Sequence, residues 1–415
     1  DVAIKYASSL ASWNNGSKNM AGMLDGFRRM DASGIKHREE ADLVAWLEAQ
    51  GKAGAKNLAA YREYVKLIDG ARATRERDRI FGSLTATGLL GSANTLYRLA
   101  QERAKPDAER EAGFQERDWP AIEAGQRQLE RRLDVGVDQS MLSYWVEKYV
   151  ALPADQRIAE LDAWLGVDAN GVITGDWRAK VAALYANTTL KNTDARLAAF
   201  NTTVATLDAS EDSFMRLAVA LSPALQRAND QRKSFNGAVA RLQPGYMQAL
   251  IDFRNSQNRA TYPDANSSLR ITFGNVKGVS PRDGLYYSPF TTTRGLVEKH
   301  TGEDPFDATQ IQLDAISERR FGQWEEASLK DVPVNYLADL DVTGGNSGSP
   351  TLNAKGEFVG LIFDGIWESV ASNWVFDPEI TRTIHVDSRY MFWIMDEVYP
   401  APAMLKELGL TPNAR

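Results

Sequence analysis

The hydrophobic patterning of the chain changes abruptly near residue 262, and this change constrains the fold most strongly. Before it, apolar residues recur every three or four positions in segments rich in Ala, Leu, Glu, Arg and Gln, which predicts amphipathic helices. After it, short β-branched and aromatic runs alternate with turns, which predicts antiparallel strands. The sequence therefore predicts an α+β multidomain chain, with an all-α domain over residues 1–262 and a β-rich domain over residues 263–415.

The first half reads as a series of separate helices without a fixed-period repeat, which indicates a helical domain rather than a solenoid. Gly166 is a predicted C-cap, and Pro120 and Pro244 mark predicted breaks or turns that lead into helices. The chain opens in what reads as the middle of a helix, so we expect an upstream segment. The predicted helices cover residues 40–50, 56–84, 89–105, 138–152, 154–166, 193–207 and 211–242.

The second half reads as about six short antiparallel strands followed by one helix. A hairpin loop is predicted at residues 353–357, and the last helix, from Arg389, contains a proline interruption. Such a set of strands corresponds to about half of a two-barrel protein. The segments predicted as strands are residues 269–276, a β-rich stretch over 285–302, and residues 333–345, 349–365, 372–380 and 382–388.

Composition excludes several classes of protein. The net charge of −7 and the pI of about 5.3 argue against a nucleic-acid-binding surface. The chain has no cysteine, which excludes disulfides and thiolate metal sites and fits either a cytoplasmic or a periplasmic location. No apolar run approaches the ~20 residues that cross a bilayer. We expect no cofactor, no metal, no nucleic acid and no membrane as partners.

The segment Gly344-Gly345-Asn346-Ser347-Gly348-Ser349-Pro350 lies between two strand-like runs. Three glycines around one serine indicate unusual backbone dihedrals and a close approach to another group. A serine nucleophile with an oxyanion hole has this requirement, and the N–H groups of Gly345 and Ser347 could converge on one oxygen. A structural turn with an exposed serine explains the motif equally well. The order strand–loop–strand differs from the strand-to-helix nucleophile elbow of α/β-hydrolases.

A wider set of motifs resembles the bacterial serine dipeptidyl-peptidases of the dipeptidyl-peptidase 7, dipeptidyl-peptidase 11 and dipeptidyl aminopeptidase BII group. The resemblance extends over essentially the whole chain. It implies a chymotrypsin-type double β-barrel interrupted by a helical cap, with a triad His and Asp in the first barrel and the Ser in the second. This chain would then hold the all-α cap and part of the second barrel, with its C-terminal helix. The motifs cover residues 18–31, 273–284, 343–367 and 385–396.

The resemblance assigns roles to individual residues. Ser347 matches the nucleophile, with Gly345 in the oxyanion hole, and Asp364 matches the aspartate that binds the substrate's free amine. Asn19, favoured over Asn15, is the amide partner of that amine. Gly365 occupies the specificity position, where relatives that cut after Asp or Glu carry an arginine. A glycine there leaves an uncharged pocket for bulky apolar residues.

The histidines of the chain do not supply an evident general base. His37, His300 and His385 each fit an ordinary surface or hydrogen-bonded role, and none precedes a plausible Asp partner in the order His–Asp–Ser. If one of the three is the general base, His385 is the first candidate. We therefore expect the missing N-terminal barrel to supply His and Asp, since a serine hydroxyl is a weak nucleophile without a base.

The resemblance also implies the setting of the protein. It indicates a periplasmic or secreted bacterial enzyme, a homodimer, and oligopeptide substrates with a free N-terminus. Two other classes stay open: an endo-acting trypsin-like protease, and a non-enzymatic helical binding protein in which Ser347 is incidental. The tryptophan-rich patches at Trp13, Trp367, Trp374 and Trp393 fit core positions, and we assign them no role.

Overall fold

The computed structural model describes residues 2–168, 170–261 and 268–413. The α-helices of this part are α1 (Val2–Arg29), α2 (Ala32–Ala49), α3 (Ala55–Arg72), α4 (Arg75–Thr85), α5 (Gly88–Arg103), α6 (Trp119–Arg132), α7 (Val135–Val150), α8 (Ala159–Leu165), α9 (Trp177–Ala186), α10 (Thr193–Phe200), α11 (Val204–Asp208), α12 (Ser213–Ser256), α13 (Thr293–Lys299), α14 (Gln310–Ser317), α15 (Ser388–Trp393) and α16 (Pro402–Glu407). The strands are β1 (Val279–Arg282), β2 (Leu285–Tyr287), β3 (Phe290–Thr292), β4 (Pro333–Ala338), β5 (Pro350–Leu352), β6 (Phe358–Gly365) and β7 (Thr383–Asp387). Helices therefore dominate the first half, and antiparallel strands are confined to the second.

The chain forms two compact units whose limits differ from a single cut in the sequence. One unit comprises Asp1–Leu10 and Leu43–Ala260, and the other comprises Ala11–Asp42 and Thr261–Arg415. Most of α1 and the start of α2 thus belong to the unit that carries the strands. The predicted domain boundary between residues 262 and 263 stays a prediction. It divides the chain by sequence, whereas the two compact units are defined by which residues lie close in space.

The helical unit has a large apolar core. Its buried aliphatic and aromatic side chains come mainly from α4, α5 and α7 to α12, which matches the helical periodicity of the sequence. Gly166 ends α8 with φ +79°, so the predicted left-handed C-cap is confirmed. Pro120 lies in the first turn of α6, which confirms that it leads into a helix.

A buried carboxylate fixes the start of α5 inside this unit. Asp138 of α7 accepts hydrogen bonds from the backbone N–H groups of Gly88 and Leu89, at 2.7 and 3.1 Å. The hydroxyl of Tyr185 donates to the same carboxylate at 2.8 Å. The otherwise unpaired N–H groups at the start of α5 are satisfied in this way. Burial and the Asp138 charge raise the pKa of Tyr185.

The predicted break at Pro244 is wrong, because α12 continues through both Pro223 and Pro244 to Ser256. A proline inside a helix removes one backbone hydrogen bond. The neighbouring α3 compensates by packing closely: an added Cβ on Gly245 would lie 3.0 Å from Ala60 Cβ, and the Tyr246 ring stacks 5.6 Å from that of Tyr64. Tertiary packing therefore overrides the local signal of the proline.

The strand-bearing unit contains a five-stranded antiparallel sheet in the order β3-β4-β7-β6-β5. A separate pair, β1-β2, completes the strands that the structure describes. The predicted hairpin at residues 353–357 is confirmed, since Asn353 N–H donates to Glu357 O at 2.9 Å and Gly356 has φ +79°. The sheet is antiparallel as predicted, and it is an open set of strands within the described residues.

Two predicted strands are absent from the described residues. In the segment 269–276, only Val276 forms a β-bridge, to Ala338, and Leu269, Ile271 and Phe273 are 91, 84 and 90% exposed. Residues 372–374 and 378–380 form turns around an irregular segment, with Thr381 N–H donating to Asp377 O at 2.7 Å. Alternation of apolar residues predicts a strand only if a neighbouring strand is available to pair with it.

The last helix is interrupted as predicted. After α15 the backbone forms a π-helical segment, Ile394–Val398, and α16 resumes at Pro402. Trp393 lies in the core of this unit with Phe321, Trp324 and Val398. Within the described residues, no helix is both long and apolar enough to cross a membrane.

Candidate active site

The glycine-rich loop between β4 and β5 is a compact turn that only glycine permits at two positions. Gly345 and Gly348 have φ values of +101° and +84°, a region that other residues rarely adopt. Asn346 closes the turn from both sides: its N–H donates to Thr343 O at 3.2 Å, and its Oδ1 accepts from Thr343 N–H at 3.1 Å. Ser349 N–H donates to Asn346 O at 2.9 Å. The loop is thus held by its own backbone.

The same loop is attached to β6 and leaves several N–H groups available, among them those of Gly345 and Ser347. Gly348 N–H donates to Ile362 O at 2.7 Å, and Ile362 N–H donates to Ser349 O at 3.2 Å. The N–H groups of Gly345 and Ser347 have no acceptor among the residues that the structure describes. Donors that are fixed in place and unused are what stabilisation of an oxyanion requires.

Ser347 is exposed on this loop, beside the end of β6. Its hydroxyl donates to the carbonyl oxygen of Phe363 at 3.3 Å. Asp364 and Gly365, which follow Phe363, are therefore close to the serine in space although they are distant in sequence. The structure brings these three sequence-predicted residues together.

His385 is a structural residue. It is fully buried, and its Nδ1 and Nε2 each lie 2.8 Å from a threonine hydroxyl, of Thr351 and Thr383 respectively. Its ring stacks on Tyr336, with centroids 4.8 Å apart. Burial lowers the pKa of His385 to about 4. Both ring nitrogens are occupied, so His385 has no free nitrogen to activate Ser347.

The other two histidines also have local partners. His37 Nδ1 lies 2.7 Å from Ser33 O, one helical turn earlier in α2, and so donates to it. His300 Nδ1 accepts from Ala308 N–H at 3.1 Å. In the described part of the chain, no histidine hydrogen-bonds to a carboxylate or to Ser347. The expectation that the triad His and Asp lie elsewhere stays a prediction.

Asp364 and Gly365 end β6 opposite β7. Asp364 is paired with Ile384 and Gly365 with Thr383, after a bulge that follows Ile362. The Asp364 side chain is exposed, and its Oδ1 accepts from Gly365 N–H at 2.8 Å. The bulge matters because it changes the alternation of side chains at the end of the strand. Asp364 therefore presents a carboxylate at the surface near Ser347.

Gly365 has room for a side chain. An added Cβ would lie 3.5 Å from Ser369 Cβ and 3.6 Å from Arg382 O, which are ordinary contacts. The Arg382 guanidinium donates to four backbone carbonyls, those of Gly278, Pro378, Thr381 and Glu379. Its charge is buried and already hydrogen-bonded, so it does not serve as a free cation at Gly365.

Asn19 lies on the part of α1 that belongs to the strand-bearing unit. Gly22 and Gly26, three and seven residues further on, face Val370 and Ala371 in the turn that follows β6. Residues spaced by three, four and seven share one helix face, so Asn19 lies on the face that contacts this turn. Its side chain is exposed.

Sequence reasoning missed the contacts that hold α1 on this turn. Trp367 Nε1 donates to Asp25 Oδ2 at 3.3 Å, and Arg29 donates to Glu368 O at 2.8 Å. The Glu368 carboxylate accepts from the hydroxyl of Tyr287 at 3.2 Å. Burial, and then the Glu368 charge, raise the pKa of Tyr287. The spacing of Gly22 and Gly26 was the one signal that could have indicated the close approach.

No metal-binding group is evident in the part of the chain that the structure describes. The described residues contain no cluster of three or more His, Asp or Glu side chains that could hold a metal ion. The chemistry of the candidate site thus rests on a hydroxyl, two backbone N–H groups and one exposed carboxylate.

Comparison with known proteins identifies relatives over the whole chain. The profile of the family described as Peptidase S46 matches residues 1–410. An Asp/Glu-specific dipeptidyl-peptidase of Shewanella putrefaciens is 40% identical over 434 aligned residues, which cover 100% of this chain and 58% of that protein. Dipeptidyl-peptidase 7 of Porphyromonas gingivalis is 28% identical, over 98% of this chain and 55% of that protein.

A solved structure shows the same fold. The crystal structure of Porphyromonas endodontalis DPP11 in complex with the dipeptide Arg-Glu matches with a TM-score of 0.74 at 24% identity, over 99% of this chain and 57% of that one. The chain thus spans less than two thirds of the length of these relatives. Helices combined with antiparallel strands are common to both folds.

Proposed function

Because this chain belongs to the Peptidase S46 family, we propose that it is the nucleophile-bearing part of a serine dipeptidyl-peptidase. The observation that carries the proposal is the exposed Ser347 on a loop with two unused N–H groups, 3.3 Å from the carbonyl that precedes Asp364. The enzyme would release dipeptides from peptides with a free N-terminus. The relatives' names, Asp/Glu-specific dipeptidyl-peptidase and dipeptidyl-peptidase 7, support this reaction class.

The proposed reaction is acyl transfer. The Ser347 hydroxyl attacks the scissile carbonyl, and the N–H groups of Gly345 and Ser347 stabilise the oxyanion that forms. The proton of the hydroxyl passes to a general base and then to the leaving amine as the scissile C–N bond breaks. Water then hydrolyses the ester on Ser347, which releases the dipeptide and restores the hydroxyl. A further segment, the N-terminal barrel expected from the sequence, would supply the His and Asp that perform this proton transfer.

Recognition of a free amine would make the enzyme an exopeptidase. Asp364 offers an exposed carboxylate beside the serine, and a charge-assisted hydrogen bond to an ammonium is stronger than a neutral one. Asn19 would complete the anchor with its amide oxygen. An endo-acting protease has no need of such a carboxylate, and neither does a helical binding protein.

Gly365 supports a preference for bulky apolar residues before the scissile bond. It has no side chain, and the nearby Arg382 has its guanidinium bound to backbone carbonyls. A second candidate specificity is for Asp or Glu, because the relative that is 40% identical is named for it. Such an enzyme would need a free cation at the pocket. The homodimer and the periplasmic or secreted location stay predictions.

The experiment that tests the proposal combines a probe with matched substrates. Ser347→Ala should abolish labelling by a fluorophosphonate and lower kcat by at least ~10³-fold, as loss of a triad member does. The control is Ser349→Ala, which changes a serine two positions away and should keep activity. Dipeptidyl-coumarin substrates with a free amine should be cleaved, and their N-acetylated forms should not.

The proposed division of the site gives a further expected result. Residues 1–415 alone should show no hydrolysis, and adding the barrel segment should restore it. Undiminished hydrolysis by Ser347→Ala would contradict the nucleophile. Equal cleavage of free and acetylated peptides would favour an endo-acting protease, and absence of labelling and hydrolysis in the assembled protein would favour the binding-protein alternative.

A further inference from the structure

Helix α1 approaches the turn after β6 at a distance that only glycine permits. An added Cβ on Gly26 would lie 2.7 Å from Ala371 Cβ, closer than real Cβ contacts allow. An added Cβ on Gly22 would lie 3.1 Å from Val370 Cγ2. Both glycines are buried. A larger residue at Gly26 forces the helix or the turn to move, and one at Gly22 requires the Val370 side chain to shift by a few tenths of an ångström.

Polar contacts beside the two glycines fix the helix on this turn. Asp25 accepts from Trp367 Nε1 at 3.3 Å, and Arg29 donates to Glu368 O at 2.8 Å. The backbone of Glu368 is thus bonded to a residue one turn after Gly26. These contacts set the rotation and register of the helix, while the glycines set its distance.

The turn is continuous with the end of β6 that carries the proposed substrate site. Ile366 N–H donates to Arg382 O at 3.1 Å, and the space at Gly365 is limited by Ser369 Cβ. Asn19 lies three residues before Gly22, which is about 4.5 Å along the helix axis. The distance between helix and turn therefore determines where Asn19 lies relative to the end of β6.

We propose that Gly26, assisted by Gly22, is a positioning residue for substrate recognition, which keeps α1 close enough to the turn for Asn19 to join Asp364 in binding the substrate's amine. This inference rests on the proposed function. A displaced helix weakens the hold on the amine, while Ser347, its loop and its N–H donors stay as they are. Gly26 then affects KM for substrates with a free amine and leaves the reactivity of the serine unchanged.

The test compares glycine-to-alanine variants on the same helix, in the preparation in which wild-type activity is measured. Gly26→Ala should raise KM for a free-amine dipeptidyl-coumarin about tenfold, with kcat and the rate of fluorophosphonate labelling within about twofold of wild type. The matched control is Gly16→Ala, since an added Cβ there has no neighbour within 4 Å. Gly26→Ala combined with Ala371→Gly removes the opposing methyl and should restore KM to within about twofold.

The outcomes separate this inference from the proposed function. An active wild type whose KM is the same in Gly26→Ala and Gly16→Ala would overturn the inference alone. A fluorophosphonate labelling rate that falls in Gly26→Ala together with the rise in KM would also overturn the inference. So would a double variant, Gly26→Ala with Ala371→Gly, whose KM is not restored. If Gly26→Ala does not fold, Gly22→Ala, which meets the Val370 side chain at 3.1 Å, should still raise KM about threefold, and an unchanged KM there would overturn the inference. An inactive, unlabelled wild type would overturn the proposed function and this inference with it.

Discussion

Replacing Gly365 with arginine should convert the neutral specificity pocket that we propose into one that prefers acidic residues. The backbone tolerates the change, because an added Cβ would meet Ser369 Cβ at 3.5 Å and Arg382 O at 3.6 Å. Gly365 is not among the positive-φ glycines of the chain, so an L-residue introduces no backbone strain there. The substitution therefore adds a charge at a position where the backbone and a Cβ are accommodated.

The magnitude follows from the exposure of the site. A hydrogen bond to a charged group contributes about 1.5–3 kcal/mol, and pairs open to solvent are at the low end or below it. Gly365 is half-buried and the adjacent Asp364 is exposed, which favours the low end. We therefore expect Gly365→Arg to improve kcat/KM for Asp or Glu relative to Leu by about tenfold, since 1.4 kcal/mol corresponds to a factor of ten.

The assay measures kcat/KM for dipeptidyl-coumarins that differ only in the residue before the scissile bond. Gly365→Gln is the control, because it adds a long polar side chain without a charge and should not favour acidic substrates. The effect of the arginine should weaken with added salt, as an ion pair does. An unchanged ratio of Glu to Leu cleavage in Gly365→Arg would refute the assignment of Gly365 to the pocket. A wild-type preference for Asp or Glu would refute the neutral pocket and establish the second candidate specificity.

Two further predictions concern charge. Asp364→Asn should lower kcat/KM for free-amine peptides by about 10- to 100-fold, corresponding to ~1.5–3 kcal/mol. Acetylating the amine of the substrate should cause a loss in kcat/KM that does not add to the loss from Asp364→Asn. Additive losses would contradict the pairing of Asp364 with the amine. The pKa of His385 falls from 6.5 unfolded to about 4 folded, so its contribution to stability is complete above pH 6.5 and is lost as the pH falls through 4. Urea unfolding at pH 5 should show about 2 kcal/mol less stability than at pH 7 from this group, a difference that His385→Gln abolishes; an equal pH dependence in both proteins would contradict it.

The fold class can be predicted from local sequence patterns, and the structure agrees with the predictions that depend on neighbouring residues. Helical periodicity located α5 and α7 closely, whereas α8 begins at Ala159 instead of residue 154; Gly166 ends α8 in the left-handed conformation as predicted. The hairpin at residues 353–357 is likewise encoded by adjacent residues. In these cases the hydrogen bonds that define the structure join residues close in sequence, so the local sequence is sufficient to predict the element.

The single helices predicted over residues 56–84 and 193–207 are each two helices, α3 and α4, and α10 and α11. The other wrong predictions depend on partners distant in sequence. Pro244 is accommodated inside α12 because α3 packs against the helix at Gly245. The segment 269–276 alternates like a strand, and its pairing in the described residues is confined to the bridge at Val276. In the segment 372–380, the Trp374 ring lies 5.5 Å from the Phe27 ring of α1, a partner that no local pattern reveals.

The sequence by itself determined the chemistry of the candidate site: the glycines around Ser347, the carboxylate of Asp364 and the absence of a side chain at Gly365 are properties of single positions. Tertiary structure alone decided that Ser347 bonds to the carbonyl before Asp364, that both nitrogens of His385 face threonine hydroxyls, and that α1 packs through Gly26. These facts depend on strand register and on helix packing, which bring together side chains separated by tens to hundreds of residues.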